Sequence, residues 1–161
     1  MKEIQLTRNK TTVVDDEDYN SLNQYKWYCT PDGYAARQVG GFRRQVTEKM
    51  ARIIVDCPDD MVVDHINGAK LDNRKNNLRI CTRIQNSYNR KNKKGSYSQY
   101  RGVSKVGNKW KASITKDGER FYLGLFFTEI DAAYTYDLKA IKLYGKFARL
   151  NILANNQKES T

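Results

Sequence analysis

The chain has 161 residues, with 29 Lys and Arg against 18 Asp and Glu and a formal net charge of +11 at pH 7. That excess favours polyanionic partners, nucleic acid first, although acidic membranes and other acidic partners also fit the charge alone. No apolar run approaches the roughly 20 residues of a membrane span, and the Met1-Lys2-Glu3-Ile4 start lacks a signal peptide's apolar stretch, so a cytoplasmic protein without a membrane partner is expected.

The N-terminal third reads as scaffold. Lys2 to Leu6 and Thr11 to Val14 read as strands around Arg8-Asn9-Lys10, and the acidic run Asp15 to Asp18 is expected to cap a helix or turn holding Tyr19 and Leu22. Tyr25 to Cys29 and Tyr34 to Arg37 flank Pro31-Asp32-Gly33, a hairpin signal, and Phe42 to Val46 supplies a further strand. Trp27 reads as core. Arg37, Arg43 and Arg44 either touch a DNA backbone or solvate the hairpin. Glu48 to Val55 reads as a short helix, in which Arg52 is a candidate phosphate contact.

The densest chemistry follows. Met61 to Gly68 is an apolar run ending in Asp64, His65 and a turn; Leu78 to Ile80 reads as a second strand, and Thr82 onward as a polar helix. The unit is strand, long loop, strand, helix. His65 is the only histidine of the chain. With Asn77 and Asn86 downstream, this unit resembles the ββα-metal motif of HNH endonucleases, which implies cleavage of a phosphodiester. At neutral pH that needs a nucleophilic water and a cation to take up charge on the leaving oxygen. An imidazole, with an unperturbed pKa of roughly 6.5, suits the proton transfer, which makes His65 the candidate general base. Hard oxygen donors suit Mg²⁺ or Mn²⁺, and Asp64 and Asn86 are the candidate ligands.

The sequence Asp64-His65-Ile66-Asn67-Gly68, Asn76-Asn77-Leu78-Arg79 and Gln85-Asn86 resembles the ββα-metal motif of HNH endonucleases, with a close match to phage and intron-associated members. The resemblance implies that Asn77 belongs to the catalytic set without touching metal, bracing the loop and the His65 backbone. Asn73 and Asn76 are further bracing candidates. Similar members often carry histidine immediately before the Arg-Leu-Ile of the preceding helix, whereas Ala51 stands here. Cys29, Cys57 and Cys81 form no Cys-x-x-Cys pair, and with one histidine they cannot make a typical structural zinc site. Reduced cysteines, no structural zinc and no small-molecule cofactor are expected.

Arg90 to Gln99 reads as a basic linker, either a strap along DNA or an ordinary solvated tether. Beyond it, Tyr100 to Lys105, Lys109 to Thr115 and Arg120 to Phe126 alternate as three strands of an antiparallel sheet, separated by Gly107-Asn108 and Lys116-Asp117-Gly118 turns. Thr128-Glu129-Ile130-Asp131 matches a capping box with Asp for Glu. Ala133, Tyr136, Ala140 and Leu143 or Tyr144 recur at helical spacing before Gly145. Arg101, Lys105, Lys109, Lys111, Arg120 and Tyr122 offer phosphate and base contacts.

This block resembles the plant ethylene-response-factor (Apetala-type) DNA-binding domain through Tyr100-Arg101-Gly102-Val103, Leu123-Gly124-Leu125-Phe126, Ala132-Ala133-Tyr134-Thr135-Tyr136-Asp137 and Phe147-Ala148 to Asn151. The resemblance implies that the sheet reads the major groove of double-stranded DNA, with Arg101, Ser113, Thr115, Arg120 and Tyr122 at the family's contact positions. Ser104 and Thr115 replace common arginines and Tyr122 a tryptophan, which implies a target other than the plant box.

The expected fold class is α+β. An HNH module with its scaffold spans 1–90, a basic linker 91–99, the sheet domain 100–151 and a tail 152–161. The expected activity is a site-selective, metal-dependent DNA endonuclease of homing or mobile-element type. No repeat or coiled-coil heptad is visible, so a monomer that nicks one strand is expected. The rivals are a DNA-binding regulator that keeps the nuclease fold without its activity, and a structured-RNA binder.

Overall fold

In the computed structural model, which describes residues 1–41, 44–90 and 97–153, the chain is a mixed α and β structure of small antiparallel sheets and four helices. Phe42 and Arg43, the Lys91 to Ser96 part of the expected linker and 154–161 of the tail lie outside the described residues. Two compact units emerge, Met1–Asn86 and Ser87–Thr161. Among the described residues no helix is long and apolar enough to cross a membrane.

The first unit opens with the hairpin β1 (Lys2–Leu6) and β2 (Lys10–Val14). Its turn places Arg8 and Asn9 at φ of 63° and 49°. Alternation sends Ile4, Leu6, Thr12 and Val14 inward. Helix α1 (Asp16–Asn23) follows, with Asp16, Glu17 and Asp18 in its first turn, where negative charge meets the positive end of the helix dipole and stabilises the helix. Strands β3 (Tyr28–Cys29), β4 (Ala35–Val39) and β5 (Val46–Lys49) form a sheet. Helix α2 is Met50–Ile54. The expected helix from Glu48 therefore starts two residues later, because Glu48 and Lys49 pair in register with Arg37 and Ala36.

Ile4, Leu6, Val14, Leu22, Trp27, Cys29, Ala35 and Met50 make one core. Trp27 is buried there, its indole N–H donating to the Leu22 carbonyl at 2.8 Å. Arg37 stacks on Tyr25 at 3.9 Å from the ring centre and pairs with Glu48 at 2.7 Å, bracing this sheet. Strands β6 (Val62–His65) and β7 (Leu78–Cys81) form the last hairpin, with Asp64 opposite Arg79 and His65 opposite Leu78. Helix α3 (Arg83–Tyr88) is started by a reciprocal cap, in which Gln85 N donates to Thr82 Oγ1 and Thr82 N to Gln85 Oε1.

In the second unit, β8 (Val103–Val106), β9 (Lys109–Lys116) and β10 (Glu119–Phe126) form a three-stranded sheet with β9 central. Helix α4 (Glu129–Tyr144) lies across it. Thr128 caps α4 by accepting from Asp131 N. Ala132, Ala133, Tyr136, Ala140 and Tyr144 are the buried stripe, and small alanines allow close approach to Ala112 and Ile114. Gly102 sits at φ +74°, where an added Cβ would meet the Tyr136 ring at 2.1 Å, so no larger residue fits beneath the helix. The Asp137 carboxylate, fully buried, accepts the backbone N–H groups of Asn151, Ile152 and Leu153.

Candidate active site and nucleic-acid interface

Successive residues of a strand project to opposite faces, and this separates Asp64 from its neighbour. Asp64 Oδ2 accepts from Arg79 Nε at 2.8 Å and Nη2 at 2.5 Å, a cross-strand ion pair. His65 faces the other way. Its Nε2 lies 3.1 Å from Asn73 Oδ1, and its ring packs 5.8 Å from that of Tyr34. Burial is the main influence on the imidazole and pushes its pKa below the ordinary value, against the Asn73 hydrogen bond and the charges of Asp64 and Asp72. Burial thus favours the neutral ring, the state a general base requires.

The loop between the strands is held from several sides. Asn77 accepts Ile66 N on its carbonyl and Asn67 N on Oδ1, both at 2.9 Å, and donates from Nδ2 to the Asp72 carbonyl. Gly68, at φ 74°, closes the turn by donating to the His65 carbonyl. Strand β2 clamps the loop through Val13 N to Leu71 O and Asn73 N to Val13 O. The acidic run does more than precede α1: Asp15 Oδ2 accepts Lys75 N, and Glu17 and Asp18 pair with Lys75 Nζ. It thereby anchors the turn that presents Asn77.

His65 and Asn86 share a cavity of about 280 Å³, lined also by Tyr34, Lys49, Ala51 and Arg52. Asp64 is not part of that lining. Ala51 is, so a longer side chain at that position would enter the space between His65 and Asn86. Lys49 borders the cavity and sits 3.9 Å from the centre of the Tyr34 ring. Arg52, expected to reach a phosphate, instead donates to the carbonyls of Cys57, Pro58 and Met61 and ties the segment that enters β6.

Asp64 and Asn86 offer the hard oxygen donors that suit Mg²⁺ or Mn²⁺, which need only one or two protein ligands beside water and phosphate. The donor chemistry fits such a cation. In the arrangement seen, Asp64 is committed to Arg79, so a cation at this carboxylate competes with the guanidinium. Among the described residues no three His, Cys, Asp or Glu side chains gather as a metal-holding group.

On the C-terminal sheet, register decides which cations face outward. Arg120 stands opposite Thr115, Tyr122 opposite Ser113, and Lys111 between Ser104 and Leu125. These residues, with Lys109, share the face away from α4. Ser113 is buried and accepts from Arg120 Nη2 at 3.0 Å. Lys105 shares its parity with buried Val103 and pairs with Trp110, so it lies on the helix side at the sheet edge. Arg101 also departs from expectation. Its guanidinium donates to the carbonyls of Ser87, Tyr88 and Arg90, and its backbone is bracketed by the Asn151 carboxamide. An arginine whose donors are spent on carbonyls is a strut of this unit.

In sequence Asn73 is one of three similar asparagines near the motif, and Thr12, Tyr34 and Lys49 carry no signal of their own. All four reach the site from strands or loop positions that a motif confined to Asp64–Asn86 does not define.

Comparison with known proteins bears on the same region. The family model described as HNH endonuclease matches residues 56–88. An uncharacterized HNH endonuclease of Acanthamoeba polyphaga mimivirus is 37% identical over 151 residues, covering 91% of this chain and 78% of the relative. Protein 3.8 of Escherichia phage T7 is 30% identical over 95 residues, 57% of this chain and 77% of that protein. A dehydration-responsive element-binding protein 2A of Oryza sativa is 42% identical over 60 residues, 35% of this chain and 22% of the plant protein. With a relative matched over most of both chains and the family model on the strands that carry His65, the chain belongs to the HNH endonuclease family of DNA-cleaving enzymes.

Proposed function

We propose that the chain is a site-selective endonuclease of double-stranded DNA that depends on Mg²⁺ or Mn²⁺ and nicks one strand as a monomer, in the manner of mobile-element homing enzymes inside a cell. The observation that carries this reading is the buried His65, which borders one cavity with Asn86. His65 takes the proton of the attacking water, Lys49 at the cavity adds positive charge for the phosphate, and Asn77 keeps the loop in shape. A cation held by Asp64 once it is released from Arg79, or by Asn86 at the cavity, would supply charge stabilisation for the leaving oxygen. The sheet face of Lys109, Lys111, Thr115, Arg120 and Tyr122 supplies site selection. Its support is the similarity to the plant protein, whose name describes binding to a response element.

Supercoiled plasmid tests the proposal. Open circle should appear before linear product with Mg²⁺ and should not appear with chelator. Linear product formed directly, with second-order dependence on protein, would show that two chains act together. A second reading, a DNA-binding protein with an impaired nuclease, is favoured by Ala51 in the cavity. It predicts intact plasmid with Mg²⁺ alongside undiminished DNA binding.

A further inference from the structure

Thr12 occupies a position that packing alone would give to valine. It alternates inward on β2 with Val14, opposite Ile4, and is fully buried. A hydroxyl there is costly unless it is hydrogen-bonded. Both of its roles are in use: Thr12 Oγ1 donates to the Leu71 carbonyl at 2.8 Å and accepts from Asn73 Nδ2 at 2.7 Å.

The donor and acceptor roles then propagate. The Leu71 carbonyl can only accept, so the Thr12 proton is committed to it and the Thr12 oxygen must accept. The Asn73 carboxamide, itself 1% exposed, must turn its NH₂ to Thr12 and its oxygen to His65. Reversing the amide would set oxygen against an oxygen whose proton is already used. Facing a carbonyl oxygen, His65 Nε2 must donate. In the neutral ring the proton is then on Nε2 and the lone pair on Nδ1.

We propose that Thr12 is a positioning residue that fixes the tautomer of His65 through the Asn73 carboxamide, making Nδ1 the nitrogen that accepts the proton in catalysis. The catalytic meaning rests on His65 being the general base; the tautomer itself does not. Thr12 also lies outside the segment matched by the HNH family model, so the unit's N-terminal hairpin contributes to its chemistry.

His65 is the only histidine, so the imidazole nitrogens of the full-length protein can be read without assignment by long-range ¹H–¹⁵N correlation NMR. At alkaline pH, without DNA or metal, the parent should show a protonated Nε2 and a pyridine-like Nδ1. Thr12→Val, nearly isosteric, should give mixed tautomers and a cleavage rate lower by about 10-fold or more; wrong-tautomer losses reach roughly 10⁴-fold in a serine-protease triad. Thr12→Ser should keep the parent spectrum. A proton on Nδ1 in the parent, or an unchanged spectrum in a folded Thr12→Val protein, overturns the proposal. Should the valine variant not fold, the parent spectrum and Asn73→Leu, which removes the Nε2 partner, still decide it: a parent-like spectrum in Asn73→Leu overturns the relay. Failure of the nuclease reading is separate, because it would appear as intact plasmid with the tautomer unchanged.

Discussion

In the N-terminal unit most of the groups read as catalytic or bracing are buried, with Asp64 and His65 5% exposed, Asn73 1% and Asn77 6%, while Asn86 is half-buried. In the C-terminal unit several of the groups read as DNA contacts stand in solvent, Tyr122 at 63% exposure with Arg120, Thr115 and Lys109 around it, while Ser113 is buried and Arg101 is held by carbonyls. The difference follows from what each task requires. A general base must hold one tautomer and one direction, and a network of buried hydrogen bonds sets both at the cost of desolvation. A groove reader must give its donors to another molecule, so they are left at the surface, as Arg120 is with a bond to the Ser113 hydroxyl. Damage to the first unit should therefore be abrupt and damage to the second graded.

The largest effect should come from His65→Ala, with cleavage falling about 10²- to 10⁴-fold while affinity for DNA is unchanged. Equal cleavage by mutant and parent with Mg²⁺ would remove His65 from its role. Arg79→Ala comes next, since it leaves the Asp64 carboxylate buried without its cross-strand partner; a loss of about 3 kcal/mol in folding stability is expected by urea denaturation. A variant as stable as the parent would mean that Asp64 is readily hydrated, and the contrast between the units would weaken.

The sheet should respond more gently. If Arg120 reads a guanine, Arg120→Ala should weaken the preferred site by about 1–3 kcal/mol and other sequences less; gel shifts showing equal loss on every sequence would demote it to a phosphate contact. Smallest is Lys111→Ala, for which binding should weaken uniformly across sequences and the salt dependence should lose roughly one ion's worth of slope. An unchanged slope would place Lys111 off the DNA.

The order of strand, loop, strand and helix around Asp64 and His65 was legible because alternation and turn residues are local signals. So were the capped helix α4 and the sheet beneath it. Other features depend on distant partners. Glu48 and Lys49 favour helix locally, yet pairing with β4 holds them as strand. Asn73, Asn76 and Asn77 look alike in sequence, and only the approach of β2 gives Asn73 its bond to the imidazole. Arg101 matches a contact position by motif, but three carbonyls within reach take its donors first.

Thr12 and Asn73 are 61 residues apart, and Asp15 and Lys75 are 60 apart. Contacts of such separation form only when long loops close, and the entropy of that closure opposes them. A fragment cut to the ββα segment would hold Asp64, His65 and Asn86 without strand β2, which reaches Asn73 through Thr12. Nuclease activity should consequently require the whole first unit, and the ββα segment cut out alone should be inactive.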